Sequence, residues 1–262
     1  MEKFQMKYRI DYQSLTSDLA VTFPRLMYYI QETSIQHTES TRYKTSWFTK
    51  NRKGWVITNW SIRVSGYPIL NDNIIVKTYP IQFKGVIGDR GFEAFMESGE
   101  PILAAYSTWA FADLAKNKLQ RPPADMAADY GPVFPAPTEK NMDFPLFSAE
   151  DSPYHLAGYR EFTATRRDTD SNEHVNNVKY IEWAFDDIPN DIYQTACTRE
   201  AKINYRKQCR AGDLVTAGFY RHSRNPRSFA SVFVDKDEAI LAEVYTLWDE
   251  NLKASQKNEL DR

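Results

Sequence analysis

The sequence predicts an α+β fold made of two similar halves. In each half the pattern indicates a strand, one amphipathic helix and then a block of strands rich in β-branched and aromatic residues. Between the halves, seven of the 13 prolines fall within residues 122–153. Because proline fixes φ and lacks an N–H donor, we expect an extended linker over residues 121–154, with domains at 1–120 and 155–262.

The first half is expected to begin with a strand over Phe4–Asp11. A helix follows, which Thr22 can cap and Pro24 can open. Its spacing puts one set of side chains on a single face: Phe23, Leu26, Met27, Ile30, Ser34 and His37. Further strands are predicted at 56–64, 74–83, 92–96 and 102–111. Since Pro80 removes one ladder bond, we expect an edge or a bend there.

The second half repeats this order, which indicates an internal duplication. A strand at 159–165 leads through a polar loop to a helix with Val175, Val178, Ile181 and Phe185 on one face. Strands are then predicted at 199–205, 213–220, 228–234 and 240–248. One helix can cover the apolar face of one antiparallel sheet. Two such units predict a tandem hot-dog fold, with antiparallel sheets each wrapped around a central helix.

Composition excludes several classes of function. A net charge of −2 gives no global attraction to nucleic acid or an anionic membrane. Two cysteines and four scattered histidines are too few for a disulfide framework or a structural zinc site, so we expect no metal and no cofactor. The sequence has no apolar signal core and no long apolar run, so we expect a cytoplasmic protein. Because the tandem joins two sheets within one chain, we expect a monomer or a homodimer.

The segment before the second helix carries the candidate chemistry. Asp170, Asn172 and His174 are spaced by two, so an extended loop would point all three to one side. The following helix end offers unpaired N–H groups and a positive dipole end. A carboxylate, an amide, an imidazole and an oxyanion-binding helix end are parts for acyl transfer. From spacing alone, we favour the interpretation that these residues are ordinary caps and first-turn residues over a catalytic role.

This segment also carries a family resemblance. The run Arg-Asp-x-Asp-x-Asn-x-His-Val-Asn-Asn-Val-Lys-Tyr over residues 167–180 closely resembles the motif of the acyl-acyl carrier protein (acyl-ACP) thioesterases of plastids and bacteria. Residues 205–209, Tyr-Arg-Lys-Gln-Cys, are similar to the family's Tyr-Arg-Arg-Glu-Cys. Shorter matches lie at residues 31–33, 63–72 and 107–109, so that the resemblance covers residues 4–122 and 155–250.

The resemblance implies a hydrolase that releases a fatty acid from acyl carrier protein and ends chain elongation. Asp170, Asn172 and His174 match the family's catalytic positions, and Gln208 and Cys209 match its Glu-Cys pair. The first half would bind the acyl chain, and the second half would perform the chemistry. Candidate lining residues of an acyl tunnel, which can equally be ordinary core, are Met27, Ile30, Trp60, Ile62 and Trp109.

Two mechanisms fit these residues. In one, Asp170 activates water or attacks directly, while Asn172 and His174 position the reacting groups. In the other, Cys209 is the nucleophile and His174 its base, as in a Cys-His-Asn triad. We favour the Asp170 mechanism. Gln208 departs from the family, which has Glu at this position. Because glutamine cannot ionise, Gln208 cannot act as a general base.

Acyl carrier protein is an acidic partner, so basic residues near the motif are candidates for docking it. They are Arg166, Arg167, Arg206, Lys207 and Arg210. Two other functions fit the same fold. One is an acyl-CoA thioesterase, and the other is a non-catalytic acyl-binding protein, which the substitution at Gln208 keeps open.

Overall fold

The computed structural model describes residues 2–13, 15–140 and 152–252. The chain divides into two compact units. Unit 1 comprises the described residues up to Lys140, and unit 2 comprises residues 152–252.

Unit 1 is an antiparallel sheet with one long helix against it. Its strands are β1 (Phe4–Arg9), β2 (Lys53–Val64), β3 (Asn73–Lys84), β4 (Ile87–Met96), β5 (Pro101–Asp113) and β6 (Lys118–Leu119). Its helices are α1 (Phe23–Glu39), α2 (Thr45–Asn51) and α3 (Met126–Asp129). The strands follow the order β1-β3-β4-β5-β2, and β6 pairs with β5.

Helix α1 packs with the face that the sequence predicts. Phe23, Leu26, Met27, Ile30, Ser34 and His37 are all buried. Pro24 lies in the first turn, where its missing N–H costs no hydrogen bond. Thr22 occupies the N-cap position, but its side chain makes no capping hydrogen bond. Burial of this face therefore positions the helix without a side-chain cap.

The prediction of an edge or a bend at Pro80 agrees with the strand pairing. Strand β3 lies between β1 and β4, but its pairing with β1 ends at Thr78, so the ring of Pro80 interrupts no bond to β1. The register with β4 shifts between Pro80 and Gln82. The Pro80 carbonyl accepts the Phe134 N–H at 3.0 Å.

Part of the expected linker is packed structure. Helix α3 lies inside residues 121–154, and Met126 and Tyr130 are buried against Phe111. Proline therefore keeps this stretch out of the sheet but does not keep it extended. The side chains of Met126 and Tyr130 instead pack into the core of unit 1. The remainder of the expected linker, residues 141–151, lies outside the described residues.

Unit 2 repeats the topology of unit 1. Its strands are β7 (Tyr154–Thr163), β8 (Cys197–Tyr205), β9 (Leu214–His222), β10 (Ser228–Asp235) and β11 (Ile240–Asp249). Its helices are α4 (Asn177–Phe185) and α5 (Asn190–Thr195). The order β7-β9-β10-β11-β8 matches that of unit 1, strand for strand. Each unit is thus a helix on an antiparallel sheet, and the predicted α+β tandem hot-dog fold is confirmed.

Helix α4 is shorter than the sequence predicts. It begins at Asn177, and Val175 lies before it in a β-bridge with Thr169. The rings of Tyr180 and Trp183 pack on Phe233 at centroid distances of 5.5 and 6.0 Å. These contacts bury the helix on the sheet and fix the position of its N-terminus.

On the buried face of helix α1, His37 contacts the guanidinium of Arg90. The Arg90 guanidinium is 3.0 Å from the His37 Nδ1, and the His37 ring stacks on Phe4. Burial, followed by the Arg90 charge, lowers the pKa of His37 to about 3. The imidazole is therefore neutral in the folded protein. In the unfolded chain it takes up a proton below about pH 6.5. Between these values the unfolded state binds more protons, so the free energy of unfolding falls as the pH falls.

We predict that His37→Gln flattens this pH dependence. The amide can still accept from Arg90 but does not titrate. Urea unfolding monitored by tryptophan fluorescence between pH 7 and 4 should give a slope lower by on the order of 1 kcal/mol per pH unit. His155→Gln, at an exposed histidine, is the matched control and should retain the wild-type slope. A slope in His37→Gln as steep as that of the wild type contradicts the assignment.

Candidate active site

The segment that enters the candidate site is a capped turn. A 3₁₀ turn spans Arg166–Asp168, and the Asp168 carboxylate accepts from both the N–H and the hydroxyl of Thr165 at 2.7 Å. This capping box satisfies donors at the start of the turn. Arg166 and Arg167 are consequently held on the exposed side of the turn.

The motif itself forms a tight hairpin. Thr169 and Val175 form an antiparallel bridge, and the Asp170 N–H donates to the His174 carbonyl at 2.8 Å. The Glu173 N–H donates to the Asp170 carbonyl at 3.1 Å, and Glu173 has a φ of 62°. This pattern is typical of a short hairpin loop with one left-handed residue.

The prediction of an extended loop at this motif is therefore wrong. The Asp170 Oδ1 accepts the Asn172 N–H at 2.8 Å, which folds the chain back within two residues. Aspartate favours such turns because its short carboxylate bonds a nearby backbone N–H. The spacing of two does not decide where these side chains point. Asp170 and Asn172 are exposed, and His174 is partly buried.

Main-chain bonds join the hairpin to the loop between β8 and β9. The Val175 N–H donates to the Cys209 carbonyl at 2.8 Å. The Asn176 N–H returns to the Asp168 carbonyl at 2.8 Å. On the other side of the turn, the Gly212 N–H donates to the Ala164 carbonyl at 2.8 Å. These bonds bring the two conspicuous motifs of the sequence into one place.

His174 lies between charges of opposite sign. Its Nε2 is 3.4 Å from the Arg210 guanidinium. Burial and then the Arg210 charge lower the pKa of His174, against smaller opposing effects of Asp170 and Glu173. The imidazole is therefore neutral near neutral pH and can accept or donate one hydrogen bond.

The Cys209 thiol is ill suited to be a nucleophile. The residue is 1% exposed. Burial, followed by the Asp213 charge, raises the pKa of Cys209 to about 11. The thiolate, which is the reactive form, is therefore scarce near neutral pH. Its neighbour Gln208 is exposed.

At the N-terminus of helix α4, some of the backbone N–H groups already donate to Asn176. The Asn176 Oδ1 accepts the Val178 N–H at 2.9 Å, and the Asn176 carbonyl accepts the Lys179 N–H at 2.9 Å. Two N–H groups at the helix start are thus already bonded. The helix end contributes less to an oxyanion site than the sequence alone indicates.

The expected docking residues differ in their surroundings. Arg206 lies 3.5 Å from the Glu243 carboxylate, and Lys207 forms an ion pair with Asp235. Arg210 faces His174, so it belongs to the candidate site as well as to the basic surface. Sequence spacing gave no signal for this contact, because it depends on how the β8–β9 loop folds back.

The expected acyl-lining residues are mainly core. Met27, Ile30, Trp60 and Ile62 are 1–3% exposed. Trp109 is the exception among them, because it lines a pocket in unit 1. Within the described residues no three His, Cys, Asp or Glu side chains come together as a metal site. In the same part of the chain, no helix has both the length and the apolar character needed to cross a bilayer.

Comparison with family models gives a match in each half of the chain. Residues 1–130 match the acyl-ACP thioesterase N-terminal domain, and residues 155–250 match the C-terminal domain.

Two curated relatives are 26% and 27% identical to this chain. An acyl-[acyl-carrier-protein] hydrolase of Cuphea viscosissima is 26% identical over 81% of this chain and 53% of its own length. Oleoyl-acyl carrier protein thioesterase 1 of Arabidopsis thaliana is 27% identical over 81% of this chain and 62% of its own length. The chain thus spans between half and two thirds of the length of these relatives.

Solved structures share the fold across the chain. An acyl-ACP thioesterase from Bacteroides thetaiotaomicron has a TM-score of 0.81 at 20% identity, covering 94% of this chain and 97% of its own. The 12:0-ACP thioesterase from Umbellularia californica has the same TM-score and identity, covering 94% of this chain and 96% of its own.

Proposed function

The chain belongs to the acyl-ACP thioesterase family, and on this premise we propose that it hydrolyses the thioester between a fatty acyl chain and acyl carrier protein. The products are a free fatty acid and the carrier protein, so the reaction ends chain elongation. The observation that carries the proposal is the hairpin at residues 169–175, which the hydrogen bond from the Val175 N–H to the Cys209 carbonyl holds against the loop that carries Cys209 and Arg210.

Asp170 is the proposed general base. Its carboxylate takes a proton from water as the water oxygen attacks the thioester carbonyl carbon. The tetrahedral oxyanion then collapses, the carbon–sulfur bond breaks, and the sulfur leaves with the proton that Asp170 took from water. Asn172 is held to Asp170 through its backbone, and neutral His174 offers one hydrogen bond to position the reacting groups. Direct attack by the Asp170 carboxylate uses the same geometry.

The competing cysteine mechanism has less support. It requires an accessible thiolate beside a basic imidazole, whereas Cys209 is buried with a raised pKa and His174 has a lowered one. Gln208 cannot supply a charge either. We therefore propose that Cys209 is a small buried residue that holds the loop in place through its carbonyl.

Unit 1 is proposed to contribute the acyl-binding residues. Met27, Ile30, Trp60 and Ile62 are buried in unit 1, and Trp109 lines the pocket of the same unit. An apolar chain gains free energy in such surroundings in proportion to the area it removes from water.

The basic residues around the hairpin are proposed to dock the carrier protein. Arg166 and Arg167 carry this role best, because they are exposed on the turn next to Asp170. Arg206 and Lys207 are already paired with Glu243 and Asp235, so they would contribute less. A cytoplasmic location and a monomeric or homodimeric state stay predictions.

An acyl-CoA thioesterase is the second candidate, because the phosphates of CoA would also be attracted to Arg166 and Arg167. The two functions differ in kcat/KM measured on acyl-ACP and acyl-CoA thioesters of equal chain length. A non-catalytic acyl-binding protein would bind both and hydrolyse neither.

We predict that Asp170→Asn lowers kcat on acyl-ACP by on the order of 10²–10⁴. The amide oxygen can keep the hydrogen bond from the Asn172 N–H, so the hairpin should persist while the base is lost. Cys209→Ala is the matched comparison and should retain most of the activity. Loss of turnover in Cys209→Ala together with retention in Asp170→Asn would reverse the assignment.

A second prediction concerns docking. The KM for acyl-ACP should rise with ionic strength, because salt screens charges between the partners. The double variant Arg166→Ala, Arg167→Ala should raise KM severalfold at low salt and flatten its salt dependence. Lys44→Ala, Lys50→Ala removes two exposed charges from unit 1 and serves as the control. Equal effects of the two double variants contradict docking at this turn.

A further inference from the structure

The loop between β8 and β9 holds Arg210 in a closed turn. The Arg210 N–H donates to the Asp213 Oδ2 at 2.8 Å, and the Asp213 N–H donates back to the Arg210 carbonyl at 3.1 Å. Gly212 lies inside this turn with a φ of 94°, a conformation that a residue with a Cβ rarely adopts. Both polar groups of the Arg210 backbone are therefore bonded within the turn.

Hydrogen bonds to two other segments fix the turn in unit 2. On one side, the Cys209 carbonyl accepts the N–H that comes from the hairpin at residues 169–175. On the other side, the Ala164 carbonyl accepts the Gly212 N–H at 2.8 Å, and the Ala164 N–H donates to the Asp213 carbonyl at 3.0 Å. The backbone of Arg210 thus has a defined position, while its side chain is exposed and extends toward the hairpin.

The side chain of Arg210 determines which nitrogen of His174 carries the proton. The Arg210 Nη2 lies 3.4 Å from the His174 Nε2. A guanidinium can only donate hydrogen bonds, and two N–H groups that face each other at this distance repel, so Nε2 must offer its lone pair. Burial and then the Arg210 charge lower the pKa of His174, so the ring is neutral and has a single N–H. That N–H is therefore at Nδ1.

The Nδ1 of His174 is the nitrogen that is left to meet a substrate. It makes no hydrogen bond with a residue that the structure describes, although the charges of Asp170 and Glu173 act on the ring. With Nε2 facing Arg210 and Nδ1 protonated, the neutral ring has no free lone pair. It cannot take a proton from water or from a thiol, but it can donate one hydrogen bond from Nδ1.

We propose that Arg210 is a positioning residue that fixes His174 in the Nδ1–H tautomer, so that His174 meets the thioester as a hydrogen-bond donor and not as a base. The tautomer stands without the proposed function, whereas the donor role rests on it. A thioester carbonyl oxygen gains negative charge as water attacks, and a donor aimed at it lowers the barrier. Two N–H groups at the start of helix α4 are already bonded, so a donor at His174 supplies what the helix end lacks.

The tautomer is measured on the full chain with ¹⁵N-labelled histidine rings, by long-range ¹H–¹⁵N correlation near pH 8, where histidine is neutral. The chain has four histidines, and His174→Gln identifies the signals of residue 174. The wild type should carry the proton on Nδ1. Arg210→Met should move the proton largely to Nε2. It should also raise the pKa of His174, because only burial then opposes the charges of Asp170 and Glu173.

Two further variants are the controls. Arg210→Lys keeps a side chain that can only donate, so the proton should stay on Nδ1. Arg199→Met removes a guanidinium of unit 2 that pairs with Asp249 at 3.1 Å, and it should leave the tautomer of His174 unchanged. The signals of the other three histidines report whether each variant keeps the fold.

A proton on Nε2 in the wild type overturns the inference, and this observation needs no variant to fold. The same tautomer in the wild type and in Arg210→Met overturns it as well.

Kinetics test the donor role. Arg210→Met should lower kcat on acyl-ACP by on the order of tenfold, and Arg210→Lys should restore most of it. If Arg210 served only to dock the carrier protein, Arg210→Met would instead raise KM and flatten its salt dependence, with kcat and the tautomer as in the wild type. That result contradicts the inference, and a changed tautomer with an unchanged kcat contradicts the donor role. If the proposed function fails, no acyl-ACP is hydrolysed even by the wild type, while the tautomer still decides whether Arg210 fixes the ring.

Discussion

One main-chain hydrogen bond, from the Val175 N–H to the Cys209 carbonyl, fixes the geometry on which the proposed chemistry depends. It joins the hairpin before helix α4 to the β8–β9 loop, two segments that lie outside the sheet. With it in place, Asp170 is exposed and His174 is partly buried, whereas Cys209 is buried. In this arrangement the Asp170 carboxylate is exposed and the Cys209 thiol is buried.

A common electrostatic arrangement occurs in both units. In unit 2, Arg210 lies against His174, and in unit 1, Arg90 lies against His37. In each case burial, followed by the guanidinium charge, lowers the pKa of the imidazole, which stays neutral. In each pair the arginine carries the positive charge and the histidine carries none. Because guanidinium keeps its charge at any physiological pH, it can face an anionic oxygen without titrating.

Much of the fold could be predicted from the sequence, because it depends on local patterns. The apolar face of α1, the alternating strands and the bend at Pro80 each follow from a periodicity or a backbone restriction. Helices α2 and α5 were not predicted, since seven and six residues are too few to show a period. Residues 121–140 were assigned to an extended linker because proline gives no indication of what the intervening Met126 and Tyr130 contact.

The candidate site was predictable in its residues but not in its shape. The motif identified Asp170, Asn172 and His174, yet their spacing suggested an extended loop where the Asp170 carboxylate makes a tight turn. The contact of Arg210 with His174 depends on main-chain bonds between distant segments, which no spacing reveals. The same holds for Arg90, His37 and Tyr130, which three separate elements bring together.

The most direct measurement of the central claim is a single turnover of acyl-ACP in H₂¹⁸O, with mass spectrometry of both the fatty acid and the quenched protein. If the Asp170 carboxylate does the chemistry, Cys209 stays unmodified throughout. The label then appears in the fatty acid when Asp170 activates water. When Asp170 attacks directly, an acyl–Asp170 anhydride forms, and attack of water on its Asp170 carbonyl carbon leaves the label in Asp170. An acyl group found on Cys209 during turnover would contradict the account.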